Sequence, residues 1–307
     1  MKYLKFFPII GLIIFAYLIY SIGIEKIFGS ILAGDFYYLA IGFFMFFPIT
    51  VLQALRWHLL LKYQGFAISA GFALKLFLIG NFYASVTPGK LGSFIRIPYL
   101  QKKSGKSLID CSVNILLDRL FDIFSVLFLA LTGLVFLPIF SQTAGIELFL
   151  IILAALILLF IFLKSNTAAI LTYLYKTLVP KKFKAENSGQ HLKSDLLKIH
   201  NSAFAVLFAF SIFVQVLVFV QSYFFALGFQ INVPLQYFIA VVAFTSIVIH
   251  IPISVQGLGT REAMLLYFFS FYSVDPSKTV VFSIASLILL YLFVLIFGGF
   301  FALKEKW

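Results

Sequence analysis

Charge is what this chain of 307 residues has least of: Asp, Glu, Lys and Arg make up 11% of it, with 11 acids against 23 bases. With 63% hydrophobic residues and a mean hydropathy of +1.09, that scarcity excludes a soluble domain of this size and predicts an all-α polytopic membrane protein. Cysteine is scarcer still. Cys111 stands alone, which excludes an intramolecular disulfide and any cysteine-based metal site. The four histidines form no metal spacing, and there is no Walker loop, dinucleotide fingerprint or nucleophile elbow; neither a metal nor an organic cofactor is expected. The formal charge of +12 does not imply nucleic acid as a partner, because the basic residues lie in short loops between apolar spans.

Six spanning helices are predicted, at about 6–24, 36–55, 113–140, 148–163, 201–227 and 279–303. Between them lie two broken segments, 70–100 and 236–273, whose apolar pieces are too short to cross alone. No small-residue cleavage site follows 6–24, so it is expected to be a retained helix rather than a cleaved signal. With the N-terminus in the cytoplasm and each broken segment entering and leaving on one side, all of the 23 basic residues except Lys26, Arg119, Arg261 and Lys278 fall inside. This predicts a multi-pass protein of the cytoplasmic (inner) membrane with both termini cytoplasmic. The two re-entrant hairpins then enter from opposite faces, an inverted repeat with halves of roughly 1–140 and 141–307 in a single domain. Eight ordinary helices with proline kinks are the alternative. The loop 164–200 is the one sizeable polar stretch; it is too short for a catalytic domain, and its lysines suit an anionic lipid surface.

The breaks themselves are the most informative features. The first reads Thr87-Pro88-Gly89-Lys90-Leu91-Gly92, with Arg96 following; the second runs from Pro252 through Gly257-Leu258-Gly259 to Thr260-Arg261-Glu262. Proline removes a backbone donor and glycine frees the dihedrals, so each segment should become two half-helices. Lipid does not tolerate bare backbone, so such breaks belong where protein or a watery cavity satisfies them. Paired breaks in corresponding places of two halves point to a transporter binding site.

Ionisable groups within membrane segments are costly and mark candidate sites. Asp118 and Asp122, four apart, share a helix face and need a cation, a proton or an arginine between them; Arg96 or Arg119 is placed to serve, or the group is an interfacial cluster pinning the helix end. Arg56-Trp57 reads as a snorkelling cation beside an aromatic-belt residue, with Arg56 guiding a lipid phosphate as the alternative. Thr260 is the expected N-cap of a half-helix whose N–H groups, with Arg261, suit an anion. Glu262 either complements the helix dipole, pairs with an arginine of the other hairpin, or carries a proton. Lys90, Gly92, Ser93 and Arg96 form the matching set, with Asn81 able to hydrogen-bond unwound backbone.

Several landmarks occur together: Arg56-Trp57 followed by Leu59-Leu60; Gly80-Asn81-Phe82-Tyr83 leading to Pro88-Gly89-Lys90-Leu91-Gly92 and Arg96; Leu116-Leu117-Asp118-Arg119; and Gly257-Leu258-Gly259-Thr260-Arg261-Glu262-Ala263. In this order and spacing the chain resembles the lysylphosphatidylglycerol synthase membrane-region family, the flippase-like integral membrane proteins, over nearly its whole length. It departs from that family at Ser93-Phe94, near which an acidic residue is common. The resemblance implies translocation of a lipid, or a membrane domain accompanying lipid aminoacylation; in members that attach lysine, a separate soluble domain performs the transfer from charged tRNA, and these 307 residues do not include it.

The reading favoured is a translocase for an anionic or aminoacylated phospholipid or a polyprenyl-phosphate carrier, with the headgroup between the hairpins and the tails in lipid. Without a nucleotide site, an ion or lipid gradient is left as the energy source. The alternatives are the membrane part of a phosphatidylglycerol lysyltransferase system and a non-transporting partner of an envelope glycosyltransferase.

Overall fold

The computed structural model describes residues 23–137, 201–250 and 257–304, with the isolated positions 17, 20, 21, 147 and 150. Among the described residues all regular structure is helical. The expected spans 6–24 (but for its last residues) and 148–163, the loop 164–200 and Pro252 lie outside them.

A short helix that the sequence reading missed, α1 (Ile24–Leu32), comes first. It packs on the start of α10 (Pro276–Phe293), where the Ser30 and Ser277 hydroxyls meet at 2.9 Å. α2 (Phe36–Phe44) and α3 (Phe46–Tyr63) run on as one apolar helix of 28 residues. Asp35 caps it, accepting from the Tyr37 N–H at 2.9 Å. This span continues a further two turns beyond the expected end at 55, so Arg56 and Trp57 lie inside it.

α4 (Ala70–Ser85) ends at the first break, a tight 3-10 stretch at Pro88–Ile95, and α5 (Arg96–Ser104) follows. α6 (Leu108–Gly133), capped by Ser107, is 26 residues long and carries Asp118, Arg119 and Asp122. It starts earlier than the expected 113 because Ser107 offers the cap, and it gives way to a 3-10 turn at Leu134–Phe136. α7 (Asn201–Gly228) is uniformly apolar. α8 (Leu235–His250) and α9 (Thr260–Ser270) flank the second break. α10 passes through a π-turn at Val294–Gly299 into α11 (Phe300–Lys304), giving a 29-residue span. The α10 cap is Asp275, whose carboxyl is held below the ordinary carboxylate range by the Ser277 hydroxyl and N–H. Phe36–Tyr63, Ser202–Gly228 and Pro276–Lys304 are long and apolar enough to cross a membrane. The chain is an all-α membrane protein.

Both broken segments turn back on themselves. Lys106, just after the first, donates to the Gln64 carbonyl at 2.7 Å and lies over the Phe66 ring at 4.3 Å, so the segment leaves where it entered. In the second, the Tyr237 hydroxyl near the start donates to the Phe268 carbonyl near the end, and the Tyr237 and Tyr272 rings meet at 4.4 Å. The first mouth adjoins Gln64, at the C-terminal end of α2–α3. The second adjoins Gly228, whose carbonyl accepts from the Asp35 N–H at 2.7 Å at the opposite end of that helix. A helix of 28 residues is about 42 Å long. The hairpins therefore enter from opposite faces, the plan that an inverted repeat produces.

Lipid gives helices little hydrophobic reason to associate, so close packing must hold them. Small residues permit it: a Cβ on Gly133 would come within 2.8 Å of the Ala240 side chain, and one on Gly298 within 2.6 Å of the Leu78 carbonyl. One buried core gathers around Trp57, Leu76 and Leu116, another around Phe225, Phe269 and Phe282.

Candidate functional site

Thr87 organises the first break. Its hydroxyl accepts from the Gly92 N–H at 2.6 Å and donates to the Tyr83 carbonyl at 3.0 Å, joining the end of α4 to the returning chain. Position 92 admits only glycine, because a Cβ there would lie 2.0 Å from the Tyr83 oxygen. Lys90 adopts a left-handed backbone, φ 56°, which costs a non-glycine residue roughly 1 kcal/mol. The Ser93 hydroxyl donates to the Lys90 carbonyl at 2.9 Å and accepts from Arg119 Nε at 2.9 Å.

The second break turns through Gly257 and Gly259, at φ +76° and +83°. Gly259, not Thr260, is the N-cap of α9; the Thr260 hydroxyl instead donates to the Gly257 carbonyl at 3.0 Å, tightening the turn. Glu262 caps the helix from its third position, accepting from the Gly259 N–H at 2.5 Å and from the Ser283 hydroxyl at 2.5 Å. Its arginine partner is the adjacent Arg261, at 3.3 Å, not one from the other hairpin. Arg261 also donates through Nε and Nη2 to Ser283.

Behind the first break lies an ion-pair cluster. The cation between Asp118 and Asp122 is Arg56, at 2.6 Å and 2.8 Å, rather than Arg96 or Arg119. Arg96 holds the other Asp118 oxygen at 2.8 Å, and Arg119 reaches Asp122 at 3.3 Å. Arg56 is 3% exposed and Trp57 0%, so neither belongs to a membrane-surface belt. Arg56 completes its donors on Ser211 at 2.8 Å, while Trp57 Nε1 donates to Asn114 at 2.7 Å. Arg96 is likewise fully buried. Its Nη1 has no hydrogen-bond acceptor among the described residues, but the guanidinium lies over the Trp57 ring at 4.5 Å and the Phe77 ring at 5.3 Å.

Between the two cores is a cavity of about 260 Å³. Lys90, Arg119, Asp122 and Asn81 face it from the first half, Arg261 from the second. Arg56, Arg96, Asp118 and Glu262 do not line it; they hold the residues that do. The Lys90 ammonium is within electrostatic range of Arg119 and Asp122 but makes no hydrogen bond or ion pair among the described residues. Arg119 leaves Nη2 without a partner among them. Around the first break four cationic side chains thus meet two carboxylates, both already paired. Such a pocket can take an oxyanion with little rearrangement. Gln53 and Gln215 also line the cavity, two residues not among the sequence candidates; like Asn81, each is an amide inside an apolar run, which is the signal that marks them.

The profile described as "Lysylphosphatidylglycerol synthase TM region" matches residues 8–298. The chain belongs to this family. Membership ties it to membrane lipid or envelope biosynthesis, and its landmark motifs coincide with the cavity and its supports: Asn81 and Lys90 line it, Asp118 anchors the ion cluster, and Arg261 faces it from the second hairpin. No curated protein matches the chain.

Proposed function

We propose that this protein translocates a phosphate-bearing lipid across the cytoplasmic membrane, taking the headgroup into the cavity between the hairpins while the acyl chains stay in the bilayer. The observation that carries the reading is the excess positive charge of the cavity wall, where the Lys90 ammonium and the Arg119 Nη2 have no partner among the described residues. An uncompensated cation in a low-dielectric site is costly, and a phosphate relieves that cost. A volume of about 260 Å³ suits a headgroup rather than a whole lipid. The two hairpins, opening on opposite faces, give this pocket a route to each leaflet.

The test is leaflet exchange of fluorescent phosphatidylglycerol in proteoliposomes, read by chemical quenching of the outer leaflet. Protein-dependent exchange supports translocation. Formation of aminoacyl-lipid by the purified protein with charged tRNA and lipid would instead favour the lysyltransferase reading. Absence of both activities would favour the partner of an envelope glycosyltransferase.

A further inference from the structure

Three carboxamides, Gln53 on α3, Asn81 on α4 and Gln215 on α7, line the cavity from three different helices. None makes a hydrogen bond among the described residues. Each offers two donors and an acceptor in one plane, and a pair of hydroxyls complements that set. The three amides open onto the cavity, where the hydroxyls of a headgroup can meet them.

The carboxylates give the complementary exclusion. An ammonium carries only donors and needs an acceptor, best a free carboxylate. Asp118 is engaged by Arg56 and Arg96, Asp122 by Arg56 and Arg119, and Glu262 by Arg261, Ser283 and the Gly259 N–H. Among the described residues, an amine brought into this cavity would meet Lys90 and Arg119 and no acid without a cationic partner.

Resting on the translocase reading, we infer that the headgroup is a phosphate ester carrying a neutral polyhydroxy group, such as glycerol, inositol or a sugar, and not an aminoalkyl or aminoacyl one. Lys90 and Arg119 hold the phosphate; Gln53, Asn81 and Gln215 hold the hydroxyls. This narrows the aminoacylated alternative of the sequence reading to lipids without the amine.

The test is retention of lipid by the detergent-purified full chain, read by native mass spectrometry. The probes are phosphatidylglycerol, phosphatidic acid and phosphatidylethanolamine with the same acyl chains. Phosphatidylglycerol should be retained about tenfold better than phosphatidylethanolamine, the difference expected of one or two buried hydrogen bonds and a misplaced charge. Asn81→Leu should bring phosphatidylglycerol down to the level of phosphatidic acid and leave phosphatidic acid unchanged; Gln215→Leu, on another helix, should do the same and guards against a folding defect in the first variant. Equal retention of phosphatidylglycerol and phosphatidic acid by the wild type, or of phosphatidylethanolamine, overturns the polyol assignment and leaves the phosphate site standing. No retention of any anionic lipid overturns both. Displacement of the lipid by soluble glycerol 1-phosphate, but not by inorganic phosphate, keeps the polyol chemistry and assigns it to a free phosphate ester instead of a lipid.

Discussion

Arg56 Nη2 meets Asp118 Oδ1 at 2.6 Å, joining two helices through residues that are 3% and 1% exposed. The same nitrogen reaches Asp122 at 2.8 Å, so a single guanidinium holds Asp118 and Asp122 together on one face of α6. A buried pair need not add stability over a well-packed apolar pair, but breaking it leaves a bare charge behind. Arg56→Ala should therefore destabilise the protein by about 3–5 kcal/mol. Asp118→Leu should cost at least as much, because it leaves the fully buried Arg96 without an acid and Arg56 with Asp122 alone. Thermal unfolding in detergent checks both, and an Asp118→Leu protein as stable as the wild type would contradict the assignment of Asp118 as the acid shared by Arg56 and Arg96.

The first break depends on the absence of a side chain at Gly92. Gly92→Ala places a methyl 2.0 Å from the Tyr83 oxygen and should abolish the hairpin, seen as loss of monodisperse protein after purification. Gly71→Ala is the control. Nothing lies within 4 Å of its Cβ, and the substitution should leave the melting temperature equal or raise it, since alanine is favoured over glycine in a helix by about 1 kcal/mol.

The proposed orientation rests on the positive-inside bias combined with the positions of the hairpin mouths. Cys111 is fully buried, so a Cys111→Ser background permits labelling of single introduced cysteines. Lys103→Cys, near the first mouth, should react with a membrane-impermeant maleimide only after cells are opened. Asn232→Cys, near the second, should react in intact cells. The reverse pattern would invert the proposed topology.

The positions of the breaks could be read in the sequence because glycine, proline and charge are conspicuous inside apolar runs, and the expected helices at 36, 201 and 279 needed only small changes of boundary. What could not be read was partnership. Arg56 and Asp118 are 62 residues apart, and nothing local says that a helix-end arginine turns inward once the helix continues past it. Glu262 was open to several roles because its partners, Ser283 and the Gly259 N–H, depend on how α10 packs against α9. Thr260 was taken as the cap on residue type alone, whereas the positive φ of Gly259 gave that place to glycine. α1 falls between the expected spans 6–24 and 36–55, and with nine residues carrying Glu25 and Lys26 it is too short and too polar to register as a membrane span.

The central claim is that Lys90 and Arg119, the cavity cations with donors left over, carry the function, and Lys90 tests it most directly. Its left-handed backbone suits glycine, so Lys90→Gly removes the ammonium while relieving strain, and the variant should fold at least as well as the wild type. Exchange of fluorescent phosphatidylglycerol between the leaflets of proteoliposomes should fall about tenfold or more in Lys90→Gly, and further when Arg119→Gln is added, as expected for loss of charge-assisted contacts to phosphate. Exchange at the wild-type rate in a correctly folded Lys90→Gly, Arg119→Gln protein would contradict the account.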